Sequence, residues 1–292
     1  MDASRKIDFC VIGAQKCGTT NLAEHLSNHP DVGFCKEKEP HFFSKSKDVK
    51  SNIDSYHELY DLKSGKKIYG EASTSYSFVD EYPDTAKRIF EYNPNMKIIF
   101  IVRDPVSRIE SHYNHRLRKG YVHGGEPVEE ISKLDDFVQR GQYTRQLQPY
   151  LDLFPSEQIM VLVFEEFFDD QMGEMKNVVE FLGLEKEKMP DLDLSPKNIS
   201  DAKVKLKNVP LAISVIKWLE KREWSWRLAK WIPIKRKVPS DYKQHLYHKM
   251  HDDILNFEAL IGRKIPCWHK WGGRKLEIGA IYSGCDEEAN QK

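Results

Sequence analysis

Residues 97–102 read Lys-Ile-Ile-Phe-Ile-Val, and this run constrains the fold more than any other stretch of the chain. A strand with one face in water alternates apolar and polar side chains. A run without alternation belongs to a strand covered on both faces, the habit of parallel sheets. Residues 8–12 (Asp-Phe-Cys-Val-Ile) and 158–164 (Gln-Ile-Met-Val-Leu-Val-Phe) have the same character. Each run leads into a helical pattern. The first helix covers 20–28, with Leu22, Ala23 and Leu26 on its inner face. The second opens at Asp104-Pro105, where proline suits the first helical position because no N–H is needed there. The third runs through Met172, Met175, Val178, Val179, Phe181 and Leu182. Strands alternating with helices predict an α/β chain with a central, mainly parallel sheet flanked by helices in three layers.

The 292 residues fit one large domain, placed at 1–271, with a tail of little pattern at 272–292. Within it, 8–185 carries the strand–helix alternation, and 186–271 is expected to be helical. Lys plus Arg and Asp plus Glu stand at 45 each, so global charge argues neither for nor against a polyanionic partner; no nucleic-acid partner is expected. No run approaches the ~18 apolar residues of a spanning helix, so no transmembrane segment is expected. Cys10, Cys17, Cys35, Cys267 and Cys285 are odd in number and form no CxxC pair. That pattern reads as reduced thiols in the cytoplasm, with a lumenal catalytic domain cut from its anchor as the alternative. Stretches 119–133 and 190–208 read as irregular. Segment 203–237 holds eleven Lys and Arg against only Glu220 and Glu223, together with Trp218, Trp224, Trp226 and Trp231. It reads as core tryptophans with solvated lysines, or else as an acceptor-binding or membrane-surface element.

The chemistry concentrates in 13–20, Gly13-Ala14-Gln15-Lys16-Cys17-Gly18-Thr19-Thr20, between a buried strand and a helix. A loop in that position turns backbone N–H groups and the positive helix end toward an anion. Lys16 adds charge, and Thr19 and Thr20 add hydroxyls. The nucleoside-triphosphate loop places its lysine directly after the second glycine, whereas Lys16 precedes Gly18. The dinucleotide pattern GxGxxG is not met either. A tight strand–helix turn with an exposed lysine is the plainer alternative. Arg103 ends a buried strand at its carboxyl edge, where open α/β sheets place ligands, and Ser111 follows two helical turns on. The pair is suited to a second phosphate; the plainer alternative has Arg103 pairing with Asp104 or Glu110.

Taken together, these segments resemble the PAPS-dependent sulfotransferases, especially the branch of heparan sulfate sulfotransferases and related bacterial enzymes. Gly13, Lys16, Gly18, Thr19 and Thr20 match the family's 5′-phosphosulfate loop. Arg103-Asp104-Pro105 with Ser111 matches its 3′-phosphate motif. Glu39-Pro40-His41-Phe42-Phe43 matches a Glu-x-His-Phe-Phe segment whose Glu is the family's base. Segments 70–76, Phe164-Glu165 and 181–184 are also similar, and the likeness fades after about 185 to Ile261-Gly262-Arg263 and Trp268. One departure stands out: Ala72 occupies the place of a lysine found in many glycosaminoglycan members, which implies a different acceptor or another basic residue in its stead.

The resemblance implies a P-loop-like fold and transfer of a sulfuryl group from PAPS to a hydroxyl, the acceptor expected to be a glycan. It implies Glu39 as base, with His41 as a second polar group near the acceptor or else a locally bonded histidine. Lys16 is expected on the bridging oxygen of the donor. Loop 13–20, including Ala14, Gln15 and Cys17, is expected around the 5′ end, and Arg103 and Ser111 at the 3′-phosphate. Tyr143 is placed in the donor pocket, and Lys235, Arg236 and Lys237 in a basic loop over the 3′ end. PAP is the expected product, and no metal is required. A kinase-like phosphotransferase and a non-catalytic nucleotide- or glycan-binding protein on the same fold are the other readings.

Overall fold

The structure is a computed structural model that describes residues 5–122, 126–191 and 236–272. In chain order its elements are β1 (Phe9–Gly13), α1 (Thr19–Ser27), β2 (Val32–Phe34), α2 (Phe42–Lys45), α3 (Ile53–Glu58), β3 (Ile68–Ala72), α4 (Thr85–Tyr92), β4 (Lys97–Val102) and α5 (Pro105–Lys119). There follow α6 (Pro127–Ser132), α7 (Asp136–Gln139), α8 (Tyr143–Leu151), β5 (Ile159–Val163), α9 (Phe164–Asp169), α10 (Gln171–Phe181) and α11 (Ser240–Leu260). The chain divides into two compact units. The first comprises Met1–Pro105, Arg140–Leu194 and Met250–Lys270; the second comprises Val106–Gln139, Ser195–Lys249 and Trp271–Lys292.

The first unit contains the sheet. Its order is β2-β3-β1-β4-β5, and every pairing is parallel. The α/β architecture with a central parallel sheet is thus as the apolar runs predict. Ile98 through Val102 and Phe9 through Ile12 have no exposed surface, which is why these strands carry no polar alternation. β1 lies at the centre, with Val11 opposite Ala72 on one side and Ile99 on the other. The chain fills one side of β1 with β2 and β3 before crossing to β4 on the other. Strand order therefore reverses at β1, and the loops after β1, β3 and β4 leave the same carboxyl edge, where such sheets bind ligands.

Two strands lie outside the apolar runs. β2 is three residues long, and β3 reads Ile-Tyr-Gly-Glu-Ala, with Glu71 wholly buried in it. After β5 the chain enters a helix at once; Asp170 interrupts it, and its carboxylate accepts from the Gly173 N–H (2.9 Å) to cap α10.

In the second unit, stretch 119–133 is less irregular than expected. Pro127 starts α6, with Glu129 and Glu130 in the first turn, where acidic residues favour the helix dipole. Arg108 is wholly buried and donates to the Phe137 carbonyl. Asn114 brackets the Arg236 backbone, accepting its N–H (2.8 Å) and donating to its carbonyl (2.9 Å). The basic, tryptophan-rich segment lies outside the described residues apart from Arg236 and Lys237, and so does the tail beyond 272.

Candidate active site

β1 delivers the chain to Gly13, whose φ is 152°. A Cβ there would stand 2.5 Å from the Ser77 hydroxyl, so the position requires glycine. The Ala14 N–H donates to the Ile101 carbonyl on β4 (2.6 Å), and the Cys17 N–H returns to the Ala14 carbonyl (3.2 Å). These bonds close 14–17 into a tight loop. Gly18, at φ 95°, turns it into α1 with the Phe164 and Phe168 rings close above. α1 has neither a side-chain cap nor an acidic residue in its first turn. Its first amides have no intrahelical acceptor, so the positive end is left to an outside anion. Thr19 is buried at that end, and Thr20, Gln15 and Lys16 are half-buried.

Arg103 follows β4. Its guanidinium lies over the Phe164 ring at 4.3 Å, and its buried Nε has no partner among the described residues. Desolvation makes an unpaired buried donor costly, so an anion suits this position. The neighbouring Asp104 pairs with Lys270 at 2.8 Å. Glu165 accepts from the Asp104 N–H and from the Trp268 indole, each at 3.1 Å, which ties the strand end to the buried Trp268. Tyr143 is wholly buried, and its hydroxyl donates to the Arg103 carbonyl (2.7 Å). It supports the Arg103 backbone from beneath, with its ring against Phe100, Phe257 and Trp268. Ser111, half-buried on α5, belongs to the second unit, as do the half-buried Arg236 and the exposed Lys237. Lys235 lies outside the described residues.

Glu39 and His41 both occupy the left-handed region, with φ 55° and 56°. For non-glycine residues this costs about 1 kcal/mol or more each, and it persists only where the surroundings hold it. Three consecutive hydroxyls from the end of β3 and the 3₁₀ turn Thr74–Ser77 do so. Ser73 Oγ accepts from the His41 N–H (3.0 Å), Thr74 Oγ1 donates to Glu39 Oε2 (2.9 Å), and Ser75 Oγ meets His41 Nδ1 (2.7 Å). His41 Nε2 stands 3.6 Å from Glu39 Oε2. Burial lowers the His41 pKa, Lys45 adds to this, and Glu39 and Glu37 oppose it. Phe42 stacks on Tyr56 (4.3 Å), and the Phe43 N–H donates to the Tyr76 hydroxyl (3.3 Å). The Glu39 side chain keeps 28% exposure, so it is more open than its aromatic neighbours suggest.

Thr19 and Thr20 of the Gly13–Thr20 loop and Glu39 line one cavity of about 270 Å³. Lys36, Lys38 and Ala72 also line it. The sequence reading missed Ser73, Thr74 and Ser75, because short hydroxyl side chains carry no pattern of their own. It also missed Phe164 as the platform for Arg103. An aromatic residue directly after an apolar strand, and the likeness of Phe164-Glu165 to the family, were the available signals.

A parallel sheet with order reversing at a strand that ends in an uncapped, glycine-bounded anion loop defines a P-loop-like group-transfer fold. The family model described as sulfotransferase domain matches residues 6–254. The chain therefore belongs to the sulfotransferase domain family. It is 32% identical over 184 residues to heparan sulfate glucosamine 3-O-sulfotransferase 3B1 of Mus musculus, covering 60% of this chain and 46% of that protein. Against heparan sulfate glucosamine 3-O-sulfotransferase 6 of Mus musculus it is 32% identical over 186 residues, covering 60% and 52%. The matches thus take in about half the length of these curated relatives. Among solved structures, a sulfotransferase from Alicyclobacillus acidocaldarius superposes with a TM-score of 0.69 at 27% identity, covering 91% of this chain and all of that one.

Proposed function

We propose that this chain transfers a sulfuryl group from PAPS to a hydroxyl of a carbohydrate acceptor, with Glu39 as the base. One observation carries the reading: the donor-loop threonines and Glu39 line the same cavity. Family membership and the names of the curated relatives support the reaction class and the glycan acceptor.

PAPS supplies an activated sulfuryl group on a good leaving phosphate. The amides at the start of α1, with Thr19 and Thr20, bind its 5′ end. Lys16 neutralises the charge that develops on the bridging oxygen. Arg103, with Ser111, takes the 3′-phosphate, and Arg236 and Lys237, with Lys235, are assigned to its outer side. Glu39 removes the acceptor proton as the hydroxyl oxygen bonds to sulfur and the bond from sulfur to the bridging oxygen breaks. Thr74 fixes the Glu39 oxygen that also faces His41. His41, held at Nδ1 by Ser75, turns Nε2 toward Glu39 Oε2 and orients the carboxylate. Sulfuryl transfer shares with phosphoryl transfer a dependence on positioning and charge neutralisation.

Lys36 and Lys38 at the cavity take over the basic character that Ala72 lacks. The catalytic domain is proposed to span 1–271. The cytoplasm remains the proposed compartment on the cysteine pattern; Cys10, Cys17, Cys35 and Cys267 are free thiols. Among the described residues no helix is long and apolar enough to cross a membrane.

Transfer of labelled sulfate from PAPS to a panel of hexosamine polysaccharides, simple sugars and alcohols tests the reading. Glu39→Gln is expected to bind PAP as the parent does while turnover falls at least about a hundred-fold, the range of a lost general base. Retained turnover would overturn the assignment of the base. Stabilisation by Mg·ATP but not by PAP would overturn the donor and favour a kinase-like enzyme.

A further inference from the structure

Behind the segment that bears Glu39 lies a carboxylate that the proposed chemistry does not use. Glu71, on β3, has no exposed surface. It accepts three hydroxyl bonds: Tyr56 and Tyr76 donate to Oε1 and Ser73 donates to Oε2, each at 2.7 Å. Tyr60 donates to the Tyr56 hydroxyl (3.0 Å) and extends the network. Burial pushes the Glu71 carboxyl up, and the bonds from Tyr76, Ser73 and Tyr56 oppose it.

The two oxygens of Glu71 serve different neighbours. Oε1 faces the aromatic cluster of α3 and the 3₁₀ turn, and through Tyr76, which accepts from the Phe43 N–H, it also touches the end of the active segment. Oε2 faces Ser73 alone among the described bonds, and through it the active segment. Because the Ser73 proton is committed to Glu71, its oxygen is turned outward as an acceptor for the His41 N–H. That bond pins a residue in the left-handed region, two positions from the candidate base and one hydroxyl away from Thr74, which grips that base directly.

We propose that Glu71 is a positioning residue for the transfer reaction: through Ser73 it holds the 39–41 segment in its strained form and so aims Glu39 at the acceptor. This rests on the reading of Glu39 as the base. It predicts that Glu71 governs turnover and leaves donor binding alone, since the Gly13–Thr20 loop is held by other bonds.

The test uses the full chain and three substitutions. Glu71→Gln keeps the volume but presents an amide N–H to Ser73 in place of an acceptor. Ser73→Ala removes the relay itself. Tyr56→Phe removes a bond to the other oxygen and leaves the relay intact. Glu71→Gln and Ser73→Ala are each expected to lower kcat by about ten-fold or more, as small misplacements of a catalytic group do, with PAP affinity within about two-fold of the parent. Adding Ser73→Ala to Glu71→Gln should cost no more than the worse single variant, because the path through Ser73 is broken in both; Glu71→Gln alone also disturbs Tyr76, which accepts from the Phe43 N–H. Tyr56→Phe should lower the Tm and leave kcat within about two-fold. Hydrogen exchange at the His41 amide should quicken in Glu71→Gln and Ser73→Ala but not in Tyr56→Phe. Parental kcat in folded Glu71→Gln or in Ser73→Ala, unchanged exchange at His41, or additive losses would each overturn the proposal. Should Glu71→Gln fail to fold, Ser73→Ala alone decides. Should Glu39→Gln retain turnover, the base assignment falls, and exchange at His41 still reports whether Glu71 holds the segment.

Discussion

Substituting Asp253 by asparagine should make the protein less sensitive to pH. Asp253 lies on α11, and its Oδ2 accepts from the Tyr143 N–H (3.0 Å) at the start of α8. Burial pushes the carboxyl from 3.8 up to about 6, against bonds from Thr144 and Tyr143 that lower it. A carboxyl with a raised native pKa holds its proton more tightly in the folded chain than in the unfolded one. The native state therefore binds more protons between pH ~4 and ~6, and stability falls as pH rises through that window. A shift of about two units corresponds to about 3 kcal/mol at ~1.4 kcal/mol per unit. The side chain is only half-buried, and solvent screening reduces this to about 1–2 kcal/mol. The introduced amide keeps an oxygen for the Tyr143 N–H and cannot ionise. The Tm of Asp253→Asn minus that of the parent, measured by scanning fluorimetry from pH 4 to pH 7.5, should rise by roughly 2–8 °C across the window and level off above it, at about 2–4 °C per kcal/mol. Taking the difference cancels the other titrating groups. A difference that stays flat or falls with pH would refute the assignment of the shift to burial.

Lys16→Ala should abolish measurable transfer while the Tm moves little, since the loop is closed by backbone bonds at Ala14 and Cys17; full activity would remove Lys16 from the mechanism. Phe164→Leu should weaken PAP binding by about three- to thirty-fold, the worth of a partly desolvated cation–π contact under Arg103; calorimetry showing parental affinity would mean that the ring does not hold the guanidinium.

What the sequence conveys about the fold depends on whether a strand is covered by carbon alone. β1 and β4 announce themselves because they are buried on both faces, and β5 because its run is apolar although its first three residues keep some exposure. β3 is as deeply placed, yet its centre is Gly70-Glu71. The carboxylate is tolerated there because hydroxyls converge on it, those of Ser73 and Tyr76 from the residues just after β3 and that of Tyr56 from α3. No local pattern encodes that convergence. β2 fails to register for a simpler reason: three residues show no period. α6 sits in a stretch whose glycines suggested irregular structure, although Pro127 and the two glutamates after it are a legible helix start. At the site, the loop and Glu39 are legible because their spacing resembles a family's. The hydroxyls that strain Glu39 and His41 into place are not, because they come from a different strand.

The sheet order also bears on how far a change at the margin of the sheet is felt. The donor loop springs from β1, which is hydrogen-bonded on both sides, by β3 and by β4. The segment with Lys36, Lys38 and Glu39 springs from β2, which lies at the sheet edge and is joined to β3 alone among the described strands. That segment is nonetheless tied inward, because Ser73 and Thr74, which follow β3, bond His41 and Glu39, so a change at this margin is felt on the strand beside β1.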